Sequence, residues 1–189
     1  MEIKQNWDPN KSKVVAALKK GIKSIDIKKD DHLLYLGASS GTTVSYLAEL
    51  ITEGIIFAID ISPETTRQLL IQHSNQVNIA PILADANHPE TYSDLIMICE
   101  CLYQDIAQKN QVEILFKNLK FLKDDGLILF NVKARSIDVS REPQQIFDEV
   151  EKQLKEKLEI IDKTTLEPYQ KDHCFFVCKK LDMSQVSPV

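Results

Sequence analysis

Residues 32–51, HLLYLGASSGTTVSYLAELI, decide the fold. Their first part, His32 to Leu36, is a short run dominated by large apolar residues, as expected of a strand buried on both faces. It stops at Gly37. Gly37-Ala38-Ser39-Ser40-Gly41 is then a turn whose glycines let the backbone come close to a ligand. From Thr42 to Ile51 the residues Val44, Leu47, Ala48 and Ile51 recur on one helical face. Strand, glycine turn and helix in that order form the opening unit of a sheet covered by helices.

The alternation continues outward along the chain. Strands are predicted over 55–59, 78–83, 96–103 and 127–132, closed respectively by Asp60, Asp85, Asp105 and Lys133. A helix starts at Ser62-Pro63, a capping Ser followed by Pro at the first helical position, and carries Leu69 and Leu70. Further helices are predicted over 10–20, 89–95, 108–122 and 143–158, the last with Ile146, Val150 and Leu154 in register. Asp124-Asp125-Gly126 is predicted as a turn. Two closing strands cover 159–166 and 174–180. Residues 167–173 between them are too few for a helical crossover, so this last pair is predicted antiparallel. The expected fold is α/β: a doubly wound, mostly parallel, seven-stranded sheet with an antiparallel last strand. The expected organisation is an N-terminal helical segment over 1–31 packed on the core, one domain over 32–181, and a flexible tail over 182–189.

Composition narrows the classes. The chain has 189 residues, 43% hydrophobic and 27% charged, with 5 Gly and 7 Pro, which argues against disorder and low complexity. Its net charge of −5 speaks against a free-standing nucleic-acid binder, since phosphate contacts need a cationic surface. No apolar run approaches the roughly 20 residues that span a bilayer, and MEIKQNWDPNKSK lacks the apolar core of a secretory signal. The four cysteines form the pairs Cys99/Cys101 and Cys174/Cys178 inside strand-like stretches. Those spacings do not suit a zinc site, so no metal is expected. Buried reduced thiols fit a reducing, cytosol-like compartment.

In a doubly wound sheet, ligands sit beyond the carboxyl ends of the parallel strands. That edge gathers the 37–41 turn, Asp60, Asp85, Asp105 and Lys133. It also gathers His173, because the antiparallel last strand begins there. No Gly-Lys-Ser/Thr follows Gly41, which excludes a P-loop, and the full G-x-G-x-x-G of dinucleotide folds is missing. Asp60 stands 23 residues after Gly37, near the spacing of an acid that holds ribose hydroxyls. Asp85 is placed to accept from an adenine amino group. A nucleoside held without a strong phosphate cradle suggests S-adenosylmethionine; ordinary turn chemistry is the alternative for these residues taken alone.

Five segments carry a resemblance. They are YLGASSGTTVSYLAE at 35–49, Trp7-x-Pro9-x-x-Ser12-Lys13, Asp105-Ile106-Ala107-Gln108, VKARSID at 132–138, and LEPYQKDH at 166–173. In order and spacing they resemble fibrillarin of the archaeal type, an RNA 2′-O-methyltransferase of box C/D guide ribonucleoproteins, from about residue 5 to 180. The resemblance implies cofactor contacts at Thr42, Thr43, Asp60, Ile61, Asp85, Ala86, Asp105, Ile106, Ala107 and Gln108. It implies an active-site set of Lys13, Asp105, Lys133 and His173. It also implies partners: box C/D guide RNA with target rRNA or tRNA, a Nop-family scaffold protein and a kink-turn-binding ribosomal-type protein, with no membrane. The implied location is the cytoplasm, or the nucleolus for a eukaryotic source.

The chain departs from the family in places. Asp60 replaces a usual Glu, Ile61 a usual aromatic, and Lys109 a usual Pro. The chain starts just before the methyltransferase core, so a core without the usual β-rich N-terminal domain is expected. Two other functions compete: a methyltransferase for protein or small molecules on the same scaffold, and a non-catalytic assembly module. Trp7 is a candidate for stacking on RNA or for anchoring its segment. Arg135 is a candidate phosphate contact or an ordinary surface residue.

Overall fold

The structure, a computed structural model, describes residues 4–181. The tail expected over 182–189 lies outside the described residues. Seven strands form one sheet: β1 (Leu33–Leu36), β2 (Ile56–Asp60), β3 (Ile79–Leu83), β4 (Cys99–Gln104), β5 (Leu122–Lys133), β6 (Leu158–Thr165) and β7 (His173–Lys180). Their order is β3-β2-β1-β4-β5-β7-β6. The pairs from β3 through β5 are parallel. β7 runs antiparallel to both β5 and β6. This is the doubly wound sheet that the sequence pattern predicts, with the order reversing between β1 and β4.

Successive side chains of a strand point to opposite faces, so the sheet has two cores. Leu34, Leu36, Phe57, Leu102, Phe130 and Phe176 pack on one face beneath α4 (Gln111–Asn118) and α6 (Pro143–Leu154). Leu33, Tyr35, Ala58, Tyr103, Leu129 and Phe175 pack on the other, beneath α1 (Lys13–Lys19), α2 (Thr42–Ala48) and α3 (Pro63–Gln72).

α1 is shorter than the predicted 10–20. The backbone N–H of Asn10 donates to the Asp8 carboxylate at 2.9 Å, and those of Lys11 and Ser12 donate to the Asp8 carbonyl, which holds 8–12 in a turn. Ser12 then caps the helix by accepting from the Val15 N–H. The helix is stopped by Gly21 at φ 100°, with Ile22 N–H bonded to the Ala17 carbonyl and Gly21 N–H to that of Leu18.

Three further expectations change. Asp124–Gly126 is not a turn between elements but part of β5. The register slips there, from Cys99 opposite Leu122 to Cys101 opposite Leu127, with Asp125 at φ 57°. The short helix over 89–95 is two 3₁₀ turns, Pro89–Thr91 and Ser93–Leu95. The predicted 108–122 helix is α4 plus a 3₁₀ turn, Leu119–Phe121. One element was not predicted: a single helical turn, α5 (Ala134–Ile137), directly after β5.

Candidate active site

The glycine turn owes its shape to close packing. Gly37 has φ 85°, and a Cβ there would run into the Asp105 backbone carbonyl. Gly41 has φ 101°, and a Cβ there would lie 2.5 Å from Leu69 Cδ1 and 2.8 Å from His73 Nε2. Neither position accepts a side chain without movement of its neighbours.

Asp60 ends β2 with both carboxylate oxygens engaged. Oδ2 accepts from the Ser39 N–H at 2.7 Å, and Oδ1 accepts from the Ser62 N–H and the Thr65 hydroxyl, each at 2.9 Å. The acid thus locks the glycine turn to the start of α3. Asp85 accepts from the Asn87 N–H at 2.9 Å. The Asn87 amide reaches Gln108 Oε1 at 3.0 Å, and Asn110 donates to Asn87 Oδ1 at 2.7 Å. This amide chain ties the loops after β3 and β4 together; the sequence offered no signal for Asn87.

Two cavities open along this edge. The first, about 270 Å³, is lined by Gly37, Asp60, Ile61, Asp85, Ala86 and the run from Asp105 to Gln108. The second, about 420 Å³, is lined by Ala38, Gly41, Thr42 and Thr43 and by all four of Lys13, Asp105, Lys133 and His173. Gly37 and Asp105 through Ala107 line both. The predicted cofactor residues are therefore divided between two adjoining spaces, with Asp105 at the junction. Lys11, Tyr35 and Gln170 also line the second cavity and were not singled out in the sequence.

Asp105 is held by three side chains. Lys13 Nζ lies 3.0 Å from its Oδ2. The Asn131 amide donates to Oδ1 at 2.8 Å, and the Tyr103 hydroxyl donates to Oδ2 at 3.5 Å. Burial, and next the Asp105 charge, push the Tyr35 and Tyr103 hydroxyls well above their ordinary range, so both stay protonated. Asn131 escaped the sequence reading although it left a signal, a lone amide inside the apolar run from Leu127 to Val132.

β5 and β7 bring the other two groups together, with His173 opposite Lys133 in register. The Lys171 carbonyl lies 2.7 Å from His173 Nδ1, so that nitrogen carries the proton and Nε2 keeps its lone pair. Burial lowers the imidazole from its ordinary value of 6.5; the Lys171 bond and Asp105 pull the other way. His173 is thus neutral at neutral pH. Lys133 is exposed, and its ammonium makes no ion pair among the described residues.

Two candidates resolve toward structure. The Arg135 guanidinium bonds Asp172 at 3.3 Å and the carbonyls of Val139 and Arg141 at 2.8 and 3.2 Å, so it braces its own loop and ties it to the loop before β7. Trp7 is 4% exposed and stacks on Tyr46 at 5.2 Å, which makes it an anchor. All four cysteines are free and buried. Burial pushes the thiols of Cys99, Cys174 and Cys178 up to about 12.

Fold and site together define a class I methyltransferase-type chain. An S-adenosylmethionine-dependent O-methyltransferase of Thermotoga maritima shares the fold, with TM-score 0.66 at 16% identity over 96% of this chain and 68% of that one. The chain belongs to the fibrillarin family, whose sequence profile matches residues 2–182. It is 47% identical over 174 residues to the fibrillarin-like rRNA/tRNA 2′-O-methyltransferase of Methanocaldococcus jannaschii, covering 90% of this chain and 75% of the relative. A fibrillarin/Nop5p complex superposes with TM-score 0.89 at 41% identity, covering 93% of this chain and 84% of that one. Aeropyrum pernix fibrillarin with natively bound S-adenosyl-L-methionine superposes with TM-score 0.83 at 39% identity, covering 91% and 76%.

Proposed function

We propose that this protein moves a methyl group from S-adenosylmethionine to a ribose 2′-hydroxyl of rRNA or tRNA. The observation that carries the reading is the Lys13–Asp105 pair, 3.0 Å apart, where the two cavities meet. The first cavity suits a nucleoside. Gly37, without a Cβ, lets the turn pack against the Asp105 carbonyl at the cavity wall, Asp60 Oδ2 keeps a lone pair for a ribose hydroxyl, and Asp85 stands ready for an adenine amino group. When bound, the cofactor supplies an electrophilic sulfonium methyl group. Asp105 orients the attacking hydroxyl and takes up its proton. Lys13 and Lys133 hold positive charge where an alkoxide develops, in a site whose donors are already in place. His173, neutral with a free Nε2, accepts a hydrogen bond from the ribose or relays the proton. Holding both reactants in line supplies much of the acceleration.

A Nop-family scaffold protein is the proposed partner, supported by the likeness to the fibrillarin of the Nop5p complex. We further propose that box C/D guide RNA selects the target and that a kink-turn-binding ribosomal-type protein completes the particle. A chain of net charge −5 supplies the wrong overall field for RNA attraction, so the salt-dependent affinity resides in those partners. Four unpaired buried thiols support a cytoplasmic location, which imaging of the tagged protein checks. The test of function is transfer from labelled cofactor to a guide-matched RNA, with and without the partner proteins. Transfer to free small acceptors but never to RNA would overturn the reading.

A further inference from the structure

Asn131 is 1% exposed near the C-terminal end of β5, on the face it shares with Leu129 and opposite Phe175 in the neighbouring strand. A β-branched apolar residue suits such a central position. Asn131 instead brings an amide whose Oδ1 is buried with no partner among the described residues. A buried acceptor left unpaired destabilises the fold, so stability does not account for the residue. Its donor does have a purpose: Nδ2 bonds Asp105 Oδ1 at 2.8 Å. Exchanging the amide nitrogen and oxygen would set a carbonyl against a carboxylate, so the orientation follows from Asp105 itself.

The two oxygens of Asp105 are consequently held from two sides. Oδ1 is tied to the rigid sheet through Asn131, and Oδ2 to the long, flexible side chain of Lys13. Lys13 and the longer 3.5 Å Tyr103 bond both reach Oδ2 and leave the carboxylate plane free to turn about its Cβ–Cγ bond; the 2.8 Å bond on the other oxygen stops that rotation. We propose that Asn131 is a positioning residue for methyl transfer, fixing the Asp105 carboxylate so that its Lys13-facing oxygen meets the attacking hydroxyl. This rests on the reading of Asp105 as the group that accepts the hydroxyl proton.

Val and Thr have the same shape and differ by one hydroxyl donor, so Asn131→Val and Asn131→Thr separate packing from donation. Both are compared with the wild-type chain in the assembled ribonucleoprotein. The expected result for N131V is a kcat about 10- to 100-fold lower, the loss that follows a small misplacement of a catalytic group. The KM for cofactor and RNA should stay within about twofold, and N131T should regain most of the rate by donating to Asp105. If N131V does not fold, Asn131→Ala against Asn131→Ser makes the same comparison. A donor-free variant within about twofold of wild-type kcat, or a donor-bearing variant no faster than its donor-free mate, overturns the proposal. Absence of transfer by the wild-type complex removes the reading of the site and the role of Asn131 with it. Transfer by wild type with N131V unimpaired removes only the role of Asn131.

Discussion

The Gln170 side-chain amide donates to the Asn10 backbone carbonyl at 2.7 Å, and to that of Pro9 at 3.2 Å. The loop before β7 thereby holds the turn that leads into α1, and α1 begins with Lys13. Thr43 adds a second tie, donating its hydroxyl to Ser12 at 3.1 Å. The N-terminal lysine of the site is positioned by residues from two distant parts of the chain.

Gln170→Ala should therefore slow methyl transfer several-fold while leaving cofactor affinity unchanged. The lost hydrogen bonds should lower stability by about 1–2 kcal/mol. Steady-state kinetics alongside urea unfolding checks both. Weakened cofactor binding with an unchanged kcat would place Gln170 in the wrong half of the site.

Gly37→Ala should impair folding and cofactor binding together. A left-handed φ costs a residue with a Cβ about 1–2 kcal/mol, and here the Asp105 carbonyl adds a clash with backbone. Calorimetric titration with S-adenosylmethionine and a thermal melt are the measurements. An unshifted melt would show that the turn yields more readily than its packing implies.

Ile61 is 57% exposed at the lip of the first cavity, where the family resemblance implies an aromatic. Ile61→Phe should tighten cofactor binding by about 0.5–1.5 kcal/mol through stacking on the adenine. Equal affinities for wild type and variant by calorimetry would mean that the ring does not reach the base.

Burial holds the folded His173 imidazole below 6.5, its ordinary value in the unfolded chain. Above 6.5 both states are neutral and the residue leaves stability independent of pH. As pH falls through 6.5 the unfolded chain gains a proton that the folded chain refuses, so stability declines until the folded imidazole itself titrates. His173→Gln removes this contribution. The stability difference, wild type minus variant, should shrink between pH 7.5 and 5.5 in denaturant titrations; a constant or growing difference would contradict the buried neutral state.

Much of this was legible because a parallel strand buried on both faces is written as an apolar run with a polar stop. Gly37, Asp60, Asp85, Asp105 and Lys133 declare themselves that way, and His173 follows once the last strand is antiparallel. Lys13 does not; nothing in its own segment separates it from Lys19 or Lys20, and only the family resemblance singles it out. Gln170 is silent because its partners are backbone carbonyls, which carry no side-chain signature. Asn131 was readable as an amide in a hydrophobic strand, though its donation to Asp105 depends on the register of β4 and β5. Arg135 shows the opposite failure: a cation beside the site that the unpredicted turn α5 directs into its own loop.

β7 lies between β5 and β6, and it is the last of the seven strands along the chain. A ribosome making this chain therefore releases the residues that line the first cavity, through Gln108, well before His173 and Gln170 emerge. The strands that lead to Asp60, Asp85 and Asp105 can pair while the gap beside β5 is still open, but the second cavity is complete only once the final strand is in place. Residue 13 waits for residue 170 throughout synthesis. A contact of such long sequence separation forms slowly, so the chain acquires a place for its methyl donor before it acquires the means to use it.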